Sequence, residues 1–206
     1  MNDDRDSLDS HPLIARLLKR VYILRPPTPR YSSTWDVSKV TEYLKTLAPL
    51  RELSLKLLTL KTVMLCALAS AQRQQTLSAL DLNFRKSTEI TFSSSGCASI
   101  CPFVALKEYI SRSETLRFRS GHFASKLFLS FIRPHNPVSP RTIARWIMSV
   151  LQSAGIDTSK FKAHSVRGAA TSHAFVTGTP VADILKMADW SSEHVFHRHY
   201  LRDVRE

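Results

Sequence analysis

Glycine is scarce in this sequence, with five residues among 206, and none of them forms a cluster. This excludes the glycine-rich loops that cradle nucleotide phosphates. Cysteine is also scarce, and Cys66, Cys97 and Cys101 form neither an even set nor a Cys-x-x-Cys pair. Cys66 lies in an apolar run and is expected to pack in the core. We therefore expect a reducing compartment, no structural metal and no cofactor.

Long hydrophobic runs are absent too. The most apolar stretch, residues 53–69, is interrupted by Lys56 and Lys61, and it is too short and too charged to span a bilayer. The N-terminus is acidic and polar, unlike a secretory signal peptide. The sequence therefore predicts a soluble protein with no membrane partner.

Positive charge, in contrast, is abundant. The chain carries 29 Lys and Arg against 17 Asp and Glu, for a formal charge of +12. Between Arg112 and Arg167 there are ten basic residues and only two acidic ones, Glu114 and Asp157. Such a stretch suits a polyanion, most simply the phosphate backbone of nucleic acid. From charge alone, a basic face in contact only with solvent is equally compatible.

Hydrophobic periodicity predicts a mainly α domain with a small β-sheet, an α+β fold. Residues 1–33 have the composition of an N-terminal tail and proline-rich linker, and residues 34–206 form the domain. Helices are expected after Asp36, over residues 54–70, up to Asp81, from Pro102 with Phe103, Leu106 and Ile110 in register, from Ser139-Pro140 to Gly155, over residues 165–178, from Thr179-Pro180, and after Ser191 or Ser192 through Tyr200. Strands are expected over residues 88–92 and 126–131.

Five residues spread along the chain are candidates for chemistry. Arg73 lies between two predicted helices, and His164 and Arg167 are three apart, so they share one face of a helix. Trp190 follows a predicted helix end, and Tyr200 comes ten residues later. Taken singly, each is more often structural: an ion pair, a chance His-x-x-Arg, or packing. The nearby His194, His197 and His199 suggest a zinc site only weakly.

In order, these residues resemble the motifs of the tyrosine recombinase and phage integrase family. Residues 163–171 (Ala-His-Ser-Val-Arg-Gly-Ala-Ala-Thr) resemble its His-x-x-Arg box. Residues 188–192 and 196–200 resemble its final His/Trp and tyrosine boxes, and residues 68–81 resemble an altered first arginine box. The likeness runs from about residue 26 to the C-terminus and is greatest to the recombinases of DIRS-type eukaryotic mobile elements.

The resemblance implies a site-specific recombinase or integrase that binds double-stranded DNA and acts in recombination and integration of a mobile element in the nucleus. Tyr200 would attack a phosphodiester, giving a 3′-phosphotyrosine, while Arg73 and Arg167 clamp the phosphate. His164 would bond the phosphate or take the tyrosine proton, and Trp190 would donate its indole N–H. It also implies a homo-oligomer, a tetramer on DNA, and makes residues 1–33 a remnant of the family's core-binding arm.

The family's hairpin lysine, its general acid, has no counterpart at the expected place. Only eight residues separate Phe92 from Cys101, too few for a second strand, so the hairpin is predicted to be shortened. Neither Lys86 nor Lys126 occupies the usual position. Two alternatives therefore stay open: an inactive or domesticated DNA-binding remnant of such an enzyme, and a helical basic interaction module with no chemistry.

Overall fold

The computed structural model describes residues 11–25, 28–83, 97–119 and 122–204. The α-helices in these ranges are α1 Pro12–Leu24, α2 Val37–Thr46, α3 Leu55–Ser70, α4 Gln74–Ala79, α5 Pro102–Arg117, α6 Pro140–Ser153, α7 Ser165–Val176, α8 Val181–Ala188 and α9 Glu193–His199. The strands are β1 Phe118–Arg119 and β2 His122–Phe123, paired antiparallel. The chain divides into two compact units, one up to Arg30 and one from Tyr31 onward.

The first unit contains helix α1, where the composition indicated a tail. Pro12 occupies its first turn, where the missing N–H costs nothing, and His11 Nδ1 accepts a hydrogen bond from Leu13 N at 3.3 Å. The division into residues 1–33 and 34–206 stays a prediction. None of the described helices combines the length and the apolar character needed to cross a membrane.

Helix α3 is the centre of the second unit. Its N-cap, Ser54, accepts from Leu57 N at 3.3 Å, and the helix is buried along most of its circumference. It contacts α4, α5, α6 and α7, which explains why its sequence is apolar nearly all round. Cys66 is fully buried here, and burial raises the pKa of its thiol to about 12, so its predicted packing role is confirmed.

Lys61 is the exception to the apolar character of α3. Its side chain is fully buried, and Nζ donates to the carbonyls of Leu44 at 2.8 Å and Leu47 at 2.6 Å. These carbonyls belong to the end of α2, where a cation is favoured by the helix dipole. Burial lowers the pKa of Lys61. Lys61 therefore joins α2 to α3 by donating to two carbonyls at the end of α2.

Helix α5 begins at Pro102 as predicted, but only two of the three residues expected in register, Leu106 and Ile110, pack on the core. The buried positions include Ala105, Tyr109 and Arg117, whereas Phe103 is 49% exposed. Leu106 and Ile110 are partly buried at the edge of the core. The small Ala105 faces inward because α5 packs closely on α3, as shown by the 3.4 Å bond from Thr62 Oγ1 to its carbonyl.

The expected strand at residues 126–131 is also wrong. Leu127, Phe128 and Leu129 are buried consecutively, without alternation, and the segment forms isolated bridges at Lys126 and Leu129. The buried Arg117 guanidinium holds the segment, donating to the carbonyls of residues 124, 126 and 127 at 3.2, 2.6 and 2.8 Å. Regular pairing is not needed where one side chain satisfies these carbonyls. The strand predicted over residues 88–92 lies outside the described residues, as does Lys86.

The remaining helices follow their predicted boundaries. Ser139 caps α6 by accepting from Thr142 N at 3.3 Å, and the expected inner residues of α6 are buried. Gly155 and Gly178 end α6 and α7 with φ of +77° and +90°, a region that favours glycine. Tyr200 lies just past the end of α9 and not within it. The mainly helical prediction is confirmed.

Candidate active site

Arg167 is the third residue of α7, in its first turn. His164 is the residue that precedes the helix. The Arg167 side chain is only 5% exposed. Nη2 donates to the carbonyl of Ala188, the last residue of α8, at 2.6 Å. A buried guanidinium is costly unless its donors find acceptors, so this bond fixes one edge of the fork on the end of α8.

Trp190 is directed towards Arg167 by the turn that ends α8. Asp189 adopts the left-handed conformation (φ 54°, ψ 53°), and Trp190 N donates back to Leu185 O at 2.9 Å. The Arg167 guanidinium carbon lies 4.7 Å from the centroid of the indole ring. This is cation–π geometry, which favours a charged guanidinium in a desolvated place.

Tyr200 completes the cluster. Its ring centroid lies 4.3 Å from that of Trp190, 5.5 Å from the Arg167 guanidinium carbon and 6.3 Å from that of His164. Its carbonyl accepts from Ser172 Oγ at 3.0 Å, which ties it to α7. The structure therefore brings His164, Arg167, Trp190 and Tyr200 together; we call these four the Tyr200 cluster.

Arg73 stands beside this cluster. It precedes α4 and follows Ala71, which ends α3 in a left-handed conformation (φ 48°). Its neighbour Gln72 donates from Nε2 to Met187 O at 3.0 Å, one residue before the carbonyl that Arg167 uses. Arg73 itself is exposed. Gln72 thus anchors the backbone next to Arg73, and the Arg73 side chain is accessible to a ligand.

A layer of alanines lets these elements approach one another. Ala71, Ala170 and Ala188 form a small buried cluster between the end of α3, the middle of α7 and the end of α8. Met187 and Trp190 pack against it. Side chains of one methyl allow close backbone approach, so the loops bearing Arg73 and Trp190 converge on α7.

Two donors in the site have no acceptor. Arg167 Nε and Trp190 Nε1 are buried, and no hydrogen-bond partner for either lies among the described residues. Unsatisfied buried donors are uncommon in native proteins and cost roughly 1–3 kcal/mol each. Their position on touching side chains is suited to an anionic oxygen ligand.

Electrostatics also favour an anion. Burial lowers the pKa of Arg167, and the charge of Arg73 lowers it further, while Tyr200 and Asp189 raise it. Arginine nevertheless remains protonated at neutral pH, because its pKa begins far above 7. Two neighbouring cations, one of them buried, form a place where negative charge is stabilised.

The architecture has relatives among solved structures. No protein-family model matches the sequence, and no curated protein is significantly similar to it. XerA recombinase superposes with a TM-score of 0.57 at 15% identity, over 92% of this chain and 69% of that one. A lambda integrase dimer bound to a COC′ core site superposes with a TM-score of 0.52 at 13% identity, over 83% of this chain and 48% of that one. A second structure of a lambda integrase dimer superposes with a TM-score of 0.54 at 11% identity, over 92% of this chain and 70% of that one.

The chain shares its fold with these recombinase and integrase structures. Identities of 11–15% show the fold alone. The chain spans about half the length of one lambda integrase chain and about two thirds of the other relatives.

In this recombinase fold the histidines of α9 do not gather. His197 pairs with Glu193 at 3.1 Å on the same helix. Burial lowers the pKa of His199, and the charges of Arg198 and Arg202 lower it further. Across the part of the chain that the structure describes, no three His, Cys, Asp or Glu residues could hold a metal ion together. The weak zinc alternative thus gains no support.

The basic stretch of the recombinase fold is divided between interior and surface. Arg117 and Arg167 are buried, so they contribute nothing to an outer basic face. The exposed members among the described residues include Arg133, Arg141, Arg145, Lys160 and Lys162. The charge of the sequence is therefore only partly available to a polyanion at the surface.

Sequence reasoning missed several residues that support the site. Ser172 and Arg202 hold the backbone around Tyr200, and Trp35 donates from Nε1 to Ser165 Oγ at 2.9 Å. Tyr31 contacts the ring of His164, at 6.4 Å between centroids. Their partners are far away in sequence, so no local pattern marks them.

Proposed function

We propose that this chain is the catalytic domain of a recombinase that cuts and rejoins DNA through a tyrosine. The observation that carries the proposal is the pair of unsatisfied donors, Arg167 Nε and Trp190 Nε1, beside the ring of Tyr200. A DNA phosphate offers oxygens that accept from both. The same phosphate then lies next to a nucleophile of the kind that forms covalent intermediates.

The reaction proposed is a transesterification. The Tyr200 hydroxyl loses its proton, and its oxygen attacks the phosphorus. A new P–O bond forms to tyrosine, the bond to the 5′-oxygen breaks, and that oxygen leaves after taking up a proton. The product is a 3′-phosphotyrosine and a free 5′-hydroxyl. Because the bond energy is kept in the covalent link, rejoining is the reverse reaction and needs no cofactor.

The surrounding residues have separate roles in this step. Arg167 and Arg73 stabilise charge on the non-bridging oxygens, because guanidinium forks bind such oxygens bidentately. His164, whose ring lies 6.3 Å from that of Tyr200, accepts the tyrosine proton or bonds the phosphate. Trp190 donates from its indole.

Entry of the phosphate requires a movement of Tyr200. Both unsatisfied donors are buried, and Tyr200 is the half-exposed residue whose ring lies against Arg167 and Trp190. An incoming phosphate therefore displaces the tyrosine ring to reach them. The displaced hydroxyl stays close, because Ser172 holds the Tyr200 carbonyl.

The test is covalent attachment of DNA to the protein. A nicked duplex with a bridging 5′-thio group, which leaves without being protonated, is incubated with the chain, and the products are separated on a denaturing gel. We expect a complex that migrates above the free protein and resists detergent, with DNA on Tyr200. A folded preparation that binds DNA and never forms this complex would instead be a DNA-binding remnant.

We also propose the context in which the domain acts. Double-stranded DNA is the partner, supported by the exposed basic residues and by the unsatisfied donors. The resemblance to DIRS-type recombinases supports action within a mobile element, a retrotransposon integrated in the nucleus. It also supports a homo-oligomer, a tetramer on DNA; the lambda integrase relatives are dimers bound to a core site.

DNA binding is expected to depend strongly on salt. Each phosphate contact adds about 0.9 to the slope of log affinity against log salt on duplex DNA. Replacing Arg141 and Arg145, exposed on α6, by Gln should flatten this slope by about one to two. Fluorescence anisotropy across a salt series measures it, with Arg51→Gln, outside the basic stretch, as the control. Equal affinity at low and high salt would contradict a phosphate-based interface.

A further inference from the structure

The segment that opens the second unit, residues 31–35, contacts the His164 side of the site. The Tyr31 ring lies 5.9 Å from that of Phe161 and 6.4 Å from that of His164, nearly edge-on to the latter. Its hydroxyl oxygen accepts from Lys162 N at 3.4 Å. Four residues on, the buried Trp35 bonds Ser165. We call residues 31–35 the clasp segment.

The clasp segment also contacts the chain that follows Tyr200. Arg202 Nε donates to Tyr31 O at 2.7 Å, and Thr34 N donates to Asp203 O at 2.9 Å. Thr34 and Val204 form a parallel bridge. The chain from Tyr200 to Val204 therefore runs beside the clasp segment.

Arg202 connects the clasp segment to the backbone around Tyr200. Besides Tyr31, it donates to the carbonyls of Arg198, at 2.6 Å, and Leu201. Its backbone N donates to Ser172 Oγ at 3.0 Å, and the same hydroxyl donates to Tyr200 O. One side chain thus connects the end of α9, the backbone around Tyr200 and the clasp segment.

We propose that Tyr31 is a positioning residue for the strand-transfer step. Its ring and hydroxyl locate His164 through residues 161–164, while its carbonyl locates Tyr200 through Arg202. The imidazole of His164 lies between two aromatic rings, Tyr31 and Tyr200, at interplanar angles of 61° and 76°. Tyr31 thereby holds the backbone that carries Tyr200 in place relative to His164.

This assignment rests on the proposed function, because it concerns the geometry of that same reaction. Rates of such steps depend steeply on alignment: a misplacement of about 1 Å costs on the order of 10²-fold. A residue that only filled space would alter stability and leave the rate of the folded fraction unchanged. The two possibilities are therefore separable.

The experiment compares Tyr31→Leu, Tyr31→Phe and the control Tyr43→Leu, which removes another half-buried tyrosine at the edge of the same core. Adduct formation is followed at saturating concentrations of a nicked duplex with a bridging 5′-thio group, over a pH series. We expect Tyr31→Leu to slow the reaction about 10- to 100-fold with unchanged DNA affinity, and to shift the pH profile. Tyr31→Phe keeps the ring and recovers most of the rate, and Tyr43→Leu keeps the parent rate.

A second readout does not depend on activity. The imidazole C–H resonance of His164, assigned with His164→Gln, should move in Tyr31→Leu and stay in place in Tyr43→Leu, because a neighbouring ring shifts it. If Tyr31→Leu does not fold, Arg202→Gln tests the other half of the link and should slow adduct formation similarly. Parent rate and an unmoved His164 resonance in folded Tyr31→Leu, or parent rate in Arg202→Gln, overturn the positioning role alone. A parent chain that gives no adduct overturns the proposed function as well.

Discussion

A duplex whose scissile 5′-oxygen is replaced by sulfur is expected to form the Tyr200 adduct about 10²- to 10⁴-fold faster than ordinary DNA. That factor is the usual contribution of a positioned general acid. The oxygen must be protonated as it leaves, whereas a thiolate leaves unaided. The resemblance predicts that the family's hairpin lysine has no counterpart in this sequence, so ordinary DNA should react very slowly.

Among the residues that the structure describes, Lys126 already has partners of its own. Lys126 lies where the chain bridges to Asp81, its Nζ donating to Ala79 O at 3.0 Å and lying 3.8 Å from the Asp81 carboxylate. It is thus already engaged at the far end of α4 from Arg73. The rates are compared by quenched denaturing gels, with Tyr200→Phe as the control that should give no adduct. Equal rates for sulfur and oxygen would show that an acid is present, and Lys86→Ala would then test the first candidate.

Arg167→Ala is expected to lower the rate of adduct formation on the thio substrate about 10²- to 10³-fold. In the proposed mechanism, the arginine stabilises charge that develops on the phosphate oxygens in the transition state, from a buried place where such interactions are strong. Its alignment depends on the Ala188 carbonyl and on the Trp190 ring, at 2.6 Å and 4.7 Å. Rates at saturating DNA measure the effect.

The matched control for Arg167→Ala is Arg112→Ala. Arg112 is also partly buried and also donates to a backbone carbonyl, that of Leu53 at 2.6 Å, but it lies on α5 away from the Tyr200 cluster. It should retain the parent rate. Arg167→Lys keeps the charge without the fork and should recover only part of the loss. A parent-like rate in folded Arg167→Ala would remove Arg167 from the mechanism.

Local chemistry predicted the helix boundaries well. Asp36, Ser54 and Ser139 each accept a backbone N–H of the helix they precede, because a side-chain oxygen there satisfies a donor that the helix leaves unpaired. Gly155 and Gly178 end helices because they tolerate positive φ. These helix boundaries depend on residues adjacent along the chain, so the sequence is sufficient to predict them.

Side-chain orientation on α5 and in residues 126–131 could not be predicted in this way. The inner face of α5 is chosen by α3, which requires a small residue at Ala105, and not by its largest apolar side chains. Residues 127–129 are all buried because Arg117 satisfies the backbone nearby. In both places the orientation of the side chains depends on a partner distant in sequence. Hydrophobic periodicity along the segment itself cannot reveal that partner.

The candidate site shows the same difference between local motifs and partners that are distant in sequence. His164, Arg167, Trp190 and Tyr200 were recognisable as motifs, and the structure places them together, with Arg73 beside them. The residues that hold them in register were not recognisable. Tyr31 precedes its partner Arg202 by 171 positions, so its position near the site emerges only from the fold.

The bridge between Thr34 and Val204 means that the second unit begins and ends at one edge. Chain entering at Tyr31 and chain leaving after Val204 are neighbours there, next to the nucleophile. Such an arrangement tolerates circular permutation, because a short peptide can join the two ends while a new opening is made in an exposed loop. For protein engineering, a permuted domain opened near the exposed Asn136 would carry its fused partners on that loop.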